Sequence, residues 1–176
     1  AVYHDLGNVN YSVCAPKPSS SSFESQQTLF SRSLECAVIC LKALGVDSIR
    51  VPVNTVTVRG RKISGGAGAV RWGAIFYHGS ILANTDLEII WKILKHDQPM
   101  PSASAFVQST RLPVISLQLE LGREVGSEDV KRALRDAFTR TLSPNLIIGS
   151  PTQDELAVAS ELVKEKYSKD EWNRKM

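Results

Sequence analysis

The chain has 176 residues, 43% hydrophobic and 22% charged, values that describe one ordinary globular domain and exclude a disordered tail or low-complexity scaffold. Its 21 basic and 18 acidic residues leave a net +3, too mild to demand nucleic acid or an anionic membrane as partner. The longest apolar run, Trp72 to Ala83, contains His78 and falls well short of the roughly 20 residues that a bilayer requires.

A chain of this size buries roughly 70% of its unfolded surface, so a sizeable core forms without cross-links. The cysteines Cys14, Cys36 and Cys40 are odd in number and lack CxxC spacing, which argues against a disulfide framework or structural zinc. A reducing compartment is expected, with cytosol the default and a mitochondrial matrix the alternative. The chain opens directly on the patterned segment AVYHDLGNVNYSVC and is read as starting part-way through a fold.

In chain order, Val2, Tyr3, Tyr11 and Val13 around Gly7-Asn8 predict extended structure with a bend. Pro16, Pro18 and Ser19 to Ser22 form a polar loop. From Phe23 to Leu44, the residues Leu34, Ala37, Val38, Leu41 and Leu44 recur at helical spacing, and Gly45 stands where a C-cap glycine belongs. Short strands follow at Ile49–Val51, Val56–Val58 and Lys62-Ile63, with a turn at Arg59-Gly60. A glycine-rich stretch, SGGAGAVRWG, leads into a strand over Ala74–Ala83.

Thr85 with Glu88 predicts a capping box for a helix carrying Leu87, Ile90, Trp91 and Leu94. Residues 96–113 read as irregular. Val130, Leu134, Ala137 and Phe138 mark an amphipathic helix, and Leu146 to Ile148 a buried strand. Ser150-Pro151 with Gln153 opens a last helix to about Lys166, and Trp172 suggests that the charged tail packs on something. Short strands mixed with three or four helices predict an α+β (mixed α/β) domain.

The strongest chemical signal runs from Asn54 to Gly68. Glycines let backbone N–H groups approach a ligand, consecutive N–H groups cradle an anion, and Lys62 would meet a carboxylate or phosphate there. The spacing is neither a Walker A loop nor GxGxxG, and a plain hairpin with a solvated lysine is the alternative. His78, with Phe76 on its face of a strand, would donate into a neighbouring pocket, or would simply be a satisfied strand histidine. His4-Asp5 alternates faces and is no dyad. Cys36 and Cys40, at i and i+4, read as inert core thiols.

Together these pieces resemble the lipoate–protein ligase catalytic domain of the biotinyl/lipoyl ligase superfamily. AVYHDLGNVNYSV resembles the segment that follows the family's RRxSGGG motif. NTVTVRGRKISGGA resembles NDxxVxGxKxSG, FYHGSIL resembles HHGTLL, and EKYSKDEW resembles the end of the large domain. The resemblance covers nearly the whole chain, in order. It implies a central mixed sheet flanked by helices, with residues 1–176 forming the C-terminal portion of a single catalytic domain.

The resemblance further implies that lipoate and ATP, with Mg2+, give lipoyl-adenylate, whose acyl group passes to a lysine of an acceptor. Acceptors would be lipoyl domains of 2-oxoacid dehydrogenase E2 components or the glycine cleavage H protein. The family's lysine falls on Lys62, as catalytic cation. Val2, Tyr3 and His4 would touch adenylate and acyl chain, and Asn54 would lie near the phosphate. Ser64 and Gly65 would line the loop, while Phe76 and His78 would form a pocket wall. No resident metal, nucleic acid or membrane is implied.

The RRxSGG portion is expected from a separate N-terminal polypeptide, through a split coding region or a cleaved loop, making a heterodimer. Thr55 stands where the family has Asp, and the stretch after Gly66 lacks the arginine expected near Ala69, for which Arg71 would substitute. The rival functions are an octanoyl or lipoyl transferase without ATP activation, and a non-catalytic subunit that binds the acceptor domain.

Overall fold

Alternation of polar and apolar residues draws Asn8–Pro16 into strand β1, whose Val9 and Tyr11 are buried while Asn10, Ser12 and Cys14 are exposed. The computed structural model describes residues 3–17, 23–52, 54–93 and 112–174. After β1 come helix α1 (Phe23–Ala43) and strands β2 (Ile49–Val51), β3 (Thr55–Val58), β4 (Arg61–Arg71) and β5 (Ala74–Leu82). Helices α2 (Leu87–Ile93), α3 (Leu117–Leu121), α4 (Ser127–Thr141), α5 (Gln153–Leu162) and α6 (Asp170–Asn173) follow, with a π-helical turn at Val163–Tyr167.

Five strands form one sheet in the order β1-β5-β4-β3-β2, with every strand pair antiparallel. The expected mixed sheet survives only as an isolated parallel bridge between Lys62 and Val114. Two tight turns join the long strands. Arg59 and Gly60 have φ of 49° and 75°, and Trp72 and Gly73 have 51° and 73°, the paired positive angles of type I′ hairpins.

Helices α1 and α4 pack on one sheet face. Leu34, Cys36, Ala37, Cys40 and Leu41 meet Val130, Ala133, Leu134 and Ala137, and both sets close over Val9, Tyr11, Val56, Ile63, Tyr77 and Ile81. Fully burying an aliphatic or aromatic side chain of this kind contributes about 1.5–3 kcal/mol. Helix α1 ends as expected: Gly45 has φ 88°, and Val46 N–H donates back to the Leu41 carbonyl. The α2 cap differs from expectation. Asp86, not Thr85, accepts the Glu88 and Ile89 amides, while the Thr85 hydroxyl donates to Asn8 Oδ1. Leu94 and residues 96–111 lie outside the described residues.

The chain divides into two compact units, residues 1–145 and 146–176. In the second, the expected buried strand at Leu146 to Ile148 is absent: Ile147 is 93% exposed and the segment is not extended into any pairing. Thr152, not Ser150, caps α5, in a reciprocal capping box with Glu155. Trp172 does pack, edge-on to Tyr167 and 4.0 Å beneath the Lys166 ammonium. No helix of the described residues is long and apolar enough to cross a membrane.

Candidate functional site

The face of the sheet opposite α1 and α4 is exposed along β1, β5 and the middle of β4, whereas β3 is buried on both faces. Paired residues of neighbouring antiparallel strands share a face, so the register lays out three rows there. Asn10, Ser80, Gly65 and Thr55 form the first, Ser12, His78 and Ala67 the second, and Cys14, Phe76 and Ala69 the third. All of these except Phe76 and His78 are small or polar.

Lys62 lies at the head of this face. A β-carbon on Gly65 would come within 2.6 Å of Lys62 Cε and 2.8 Å of Nζ, so the lysine crosses the strand where only glycine leaves room. Half-burial lowers its pKa from 10.5. Arg59 and Arg61 in the same hairpin both reach Glu120, at 2.7 and 3.5 Å, whereas Lys62 has no acidic partner among the described residues. Its backbone is fixed from outside the hairpin, since Lys62 N–H donates to Pro113 O and Ile115 N–H to Lys62 O.

Asn54 clamps β4 beside this point. Its side-chain amide donates to Gly66 O at 2.8 Å, and Gly66 N–H donates to Asn54 O at 3.0 Å. The carboxamide oxygen accepts from the buried Thr55 hydroxyl at 3.4 Å. Phe76 and His78 stack, with ring centres 5.9 Å apart and 21° between planes. His78 sits opposite Ala67, about 7 Å along the strand from Gly65.

The structure thus brings together Lys62, Gly65 and Asn54, with His78 one row and Phe76 two rows further along the same face. Ser64 turns the other way: it is buried, pairs with Ile81, and its hydroxyl faces the helix-packed side. Tyr3 and the exposed His4 belong to the turn before β1. That turn is held by Asp5, which accepts the Gly7 and Asp86 amides and the Tyr3 hydroxyl. Val2 lies outside the described residues.

The glycine stretch is not an anion-cradling loop but the middle of β4. Its glycines answer to rings on the helix side. A β-carbon on Gly66 would lie 2.0 Å from Tyr77 Oη, and one on Gly68 would lie 2.1 Å from Phe30 Cζ. Asn10, Ser12 and Cys14 escaped the sequence reading as members of the face, although the alternation in NVNYSVC signals them. Among the described residues, no three His, Cys, Asp or Glu side chains converge as metal ligands. The cleft of about 510 Å³ at Gln27, Thr28, Ser31 and Arg32 belongs to α1.

Residues 1–139 match the lipoyl protein ligase A/B catalytic domain. This chain belongs to that family. It is 34% identical to lipoate-protein ligase A subunit 1 of Thermoplasma acidophilum, over 98% of this chain and 67% of the relative. It is also 30% identical to octanoyltransferase LipM of Brevibacillus brevis, over 67% of this chain but only 42% of the relative. A crystal structure of lipoate-protein ligase A bound with ATP superposes with a TM-score of 0.74 at 30% identity, covering 98% of this chain and 66–67% of its neighbours' chains. A second ligase structure, from T. acidophilum with bound lipoic acid, gives 0.75 at 30% identity. The sheet and its flanking helices are therefore the family's catalytic fold, and the Lys62 face lies within the matched residues.

Proposed function

We propose that this family member carries the reaction centre of a lipoate–protein ligase. It would activate lipoate with ATP to lipoyl-adenylate and transfer the acyl group to a lysine of a lipoyl domain, of E2 or H-protein type. The observation that carries this reading is Lys62: a half-buried cation without an acidic partner among the described residues, laid over Gly65 at the head of an exposed face of small polar side chains. The relatives with ATP and with lipoic acid bound support the choice of substrates.

In the first step, a lipoate carboxylate oxygen attacks the α-phosphorus and pyrophosphate leaves. Negative charge grows on phosphoryl and carboxyl oxygens, and the Lys62 ammonium donates to them from a partly dry setting where its field is strong. In the second step, the acceptor amine attacks the acyl carbon. Charge moves to the carbonyl oxygen, Lys62 holds it, and AMP departs as the amine loses its proton. Asn54 and Gly65 act on Lys62 by fixing its strand and its path. Phe76 and His78 offer a stacked wall, and Tyr3 and His4 approach from the turn before β1. Ser64 contributes backbone only.

Mg2+ enters with ATP as the substrate complex. Among the described residues, the side-chain oxygens next to the site come from Asn54, Thr55, Ser80 and Asn10, with no carboxylate, so these residues do not fit a resident cation site. An N-terminal polypeptide bearing an RRxSGG segment would cover the open face. The bare rows of β1, β5 and β4 support that, as does the T. acidophilum structure described as a bi-partite ligase with its E2 lipoyl domain. Three unpaired cysteines favour a reducing compartment such as the cytosol.

A transferase with a cysteine-bound acyl group is the rival from within the family. Cys36 and Cys40 are buried on the helix side, and Cys14 stands two rows, about 13 Å, along the strand from the Gly65 row. Mass spectrometry of an apo lipoyl domain incubated with the chain, lipoate and MgATP tests the ligase reading, with arms adding an RRxSGG polypeptide or ready-made lipoyl-adenylate. A mass gain on the acceptor lysine with lipoate and MgATP, with or without the added polypeptide, supports it, whereas a gain from lipoyl-adenylate alone favours a transferase. Absence of gain in all arms, or loss of transfer in Cys14→Ser alone, would sink it.

A further inference from the structure

We infer that Lys62 is itself an acylation site: when an acyl-adenylate is bound and no acceptor is present, its amine takes the acyl group and the enzyme silences itself. The inference rests on the ligase reading above and concerns the fate of its intermediate.

Three features single out this lysine. Its hairpin neighbours Arg59 and Arg61 are committed to Glu120, while Lys62 has no carboxylate among the described residues to keep its proton in place. Its stem lies along Gly65 and its backbone is tied to Pro113 and Ile115, so the amine starts from a defined place over β4 and is partly withdrawn from solvent. That spot must be within hydrogen-bond reach of the acyl oxygen if Lys62 supports the chemistry, which brings a primary amine beside an activated carbonyl. Burial enlarges the uncharged fraction of the amine.

The step is an ordinary aminolysis. The neutral Nζ attacks the acyl carbon of the mixed anhydride and a C–N amide bond forms. The C–O bond to phosphate breaks, AMP leaves with the electron pair, and the surplus amine proton passes to the AMP phosphate or to water. Nothing is oxidised or reduced. A docked acceptor lysine normally wins this competition; without one, an amine that starts beside the carbonyl outpaces lysines that meet the adenylate only by diffusion. The product has lost the cation and fills the site with a tethered acyl chain, so activity ends with the modification.

The test incubates the full chain with synthetic lipoyl-adenylate, with and without an apo lipoyl domain, and maps acylated lysines by peptide mass spectrometry. Lys17 and Lys42, both exposed, serve as internal comparators. Without acceptor, occupancy at Lys62 should exceed theirs by about tenfold or more, as expected for an intramolecular reaction. It should fall when acceptor is added, and transfer activity should decline in step with it. Unfolding the chain in urea should erase the preference, and Lys62→Arg should remove the acylated peptide from a folded protein. Equal labelling of Lys62 and the exposed lysines, or a clean Lys62, overturns the inference. The acceptor arm reads the parent proposal separately: an acylated acceptor beside a clean Lys62 leaves the ligase reading intact, and an acylated Lys62 beside an untouched acceptor removes transfer to that acceptor.

Discussion

Adjacent glycines in β4 should respond to alanine in opposite ways. At Gly65 the new β-carbon meets the far end of Lys62, at 2.6 Å from Cε and 2.8 Å from Nζ. Ordinary carbon contacts lie near 3.5–4.0 Å, so the ammonium must swing by about 1 Å, which a flexible side chain does cheaply. The lost freedom of the unfolded chain offsets part of the cost, leaving stability within about 1 kcal/mol of the parent. Activity should not survive so well, since a 1 Å misplacement at a reacting centre costs on the order of 100-fold. At Gly66 the β-carbon would lie 2.0 Å from Tyr77 Oη and 2.9 Å from the His78 carbonyl, a packed ring and a backbone that cannot both retreat. Overpacking of this kind costs about 1–3 kcal/mol. A chain of this length then melts lower by roughly 2–12 °C. Thermal unfolding followed by circular dichroism, with transfer from lipoyl-adenylate measured on the same preparations, separates the two. Equal melting temperatures, or full activity in Gly65→Ala, would refute the placement of lysine and ring on opposite faces of β4.

Transfer should require the charged form of Lys62, whose pKa burial holds below 10.5, so the rate should fall as pH rises through that depressed value and Lys62→Arg should abolish this alkaline limb. The unfolded chain binds the extra proton between the folded and unfolded pKa values, so this group makes stability rise with pH across that window; urea midpoints at stepped pH check the sign. Thiol titration of the native protein should find one fast cysteine, the exposed Cys14. Burial pushes Cys36 up to about 11 and Cys40 up to about 12, so a second fast thiol would contradict their packing against α4. Glu120→Gln should cost only about 1 kcal/mol, because Arg59 is 75% exposed and Arg61 38%, and the loss should shrink in high salt. A loss above roughly 3 kcal/mol in urea titration would mean that the pair is far better shielded than its exposure indicates.

Much of the fold was legible in local patterns. The apolar stripe of α1, its terminal Gly45, the Arg59-Gly60 turn and the β5 run each stand in one stretch of chain, where periodicity and turn chemistry act directly. What escaped depends on partners distant in sequence. Glycines admit two causes, close approach of a ligand or of a neighbouring side chain, and nothing in SGGAG reveals that Tyr77 and Phe30 occupy the space above. Ser64 follows from the same ambiguity: a strand turns it to the core, where a loop would have left it free. Leu146 to Ile148 is apolar enough for a buried strand, yet the segment is unpaired and Ile147 is exposed, and apolarity alone does not signal that. Thr85 and Asp86 are both good caps, and the local sequence does not decide between them. Of the residues singled out by motif and resemblance, Lys62, Gly65 and Asn54 cluster, His78 and Phe76 follow along the same face, and Ser64 turns to the other side. The polar row of β1 joins them only through register.

The pinning of Lys62 between Pro113 and Ile115 has a bearing on how the protein folds. The hairpins that link β3, β4 and β5 are local and close quickly, whereas the bridge to Val114 must wait for a long stretch of chain to return. The lysine therefore settles into position late, after the sheet around it exists. A nascent or partly unfolded chain can hold a native-looking sheet while Lys62 is still unset.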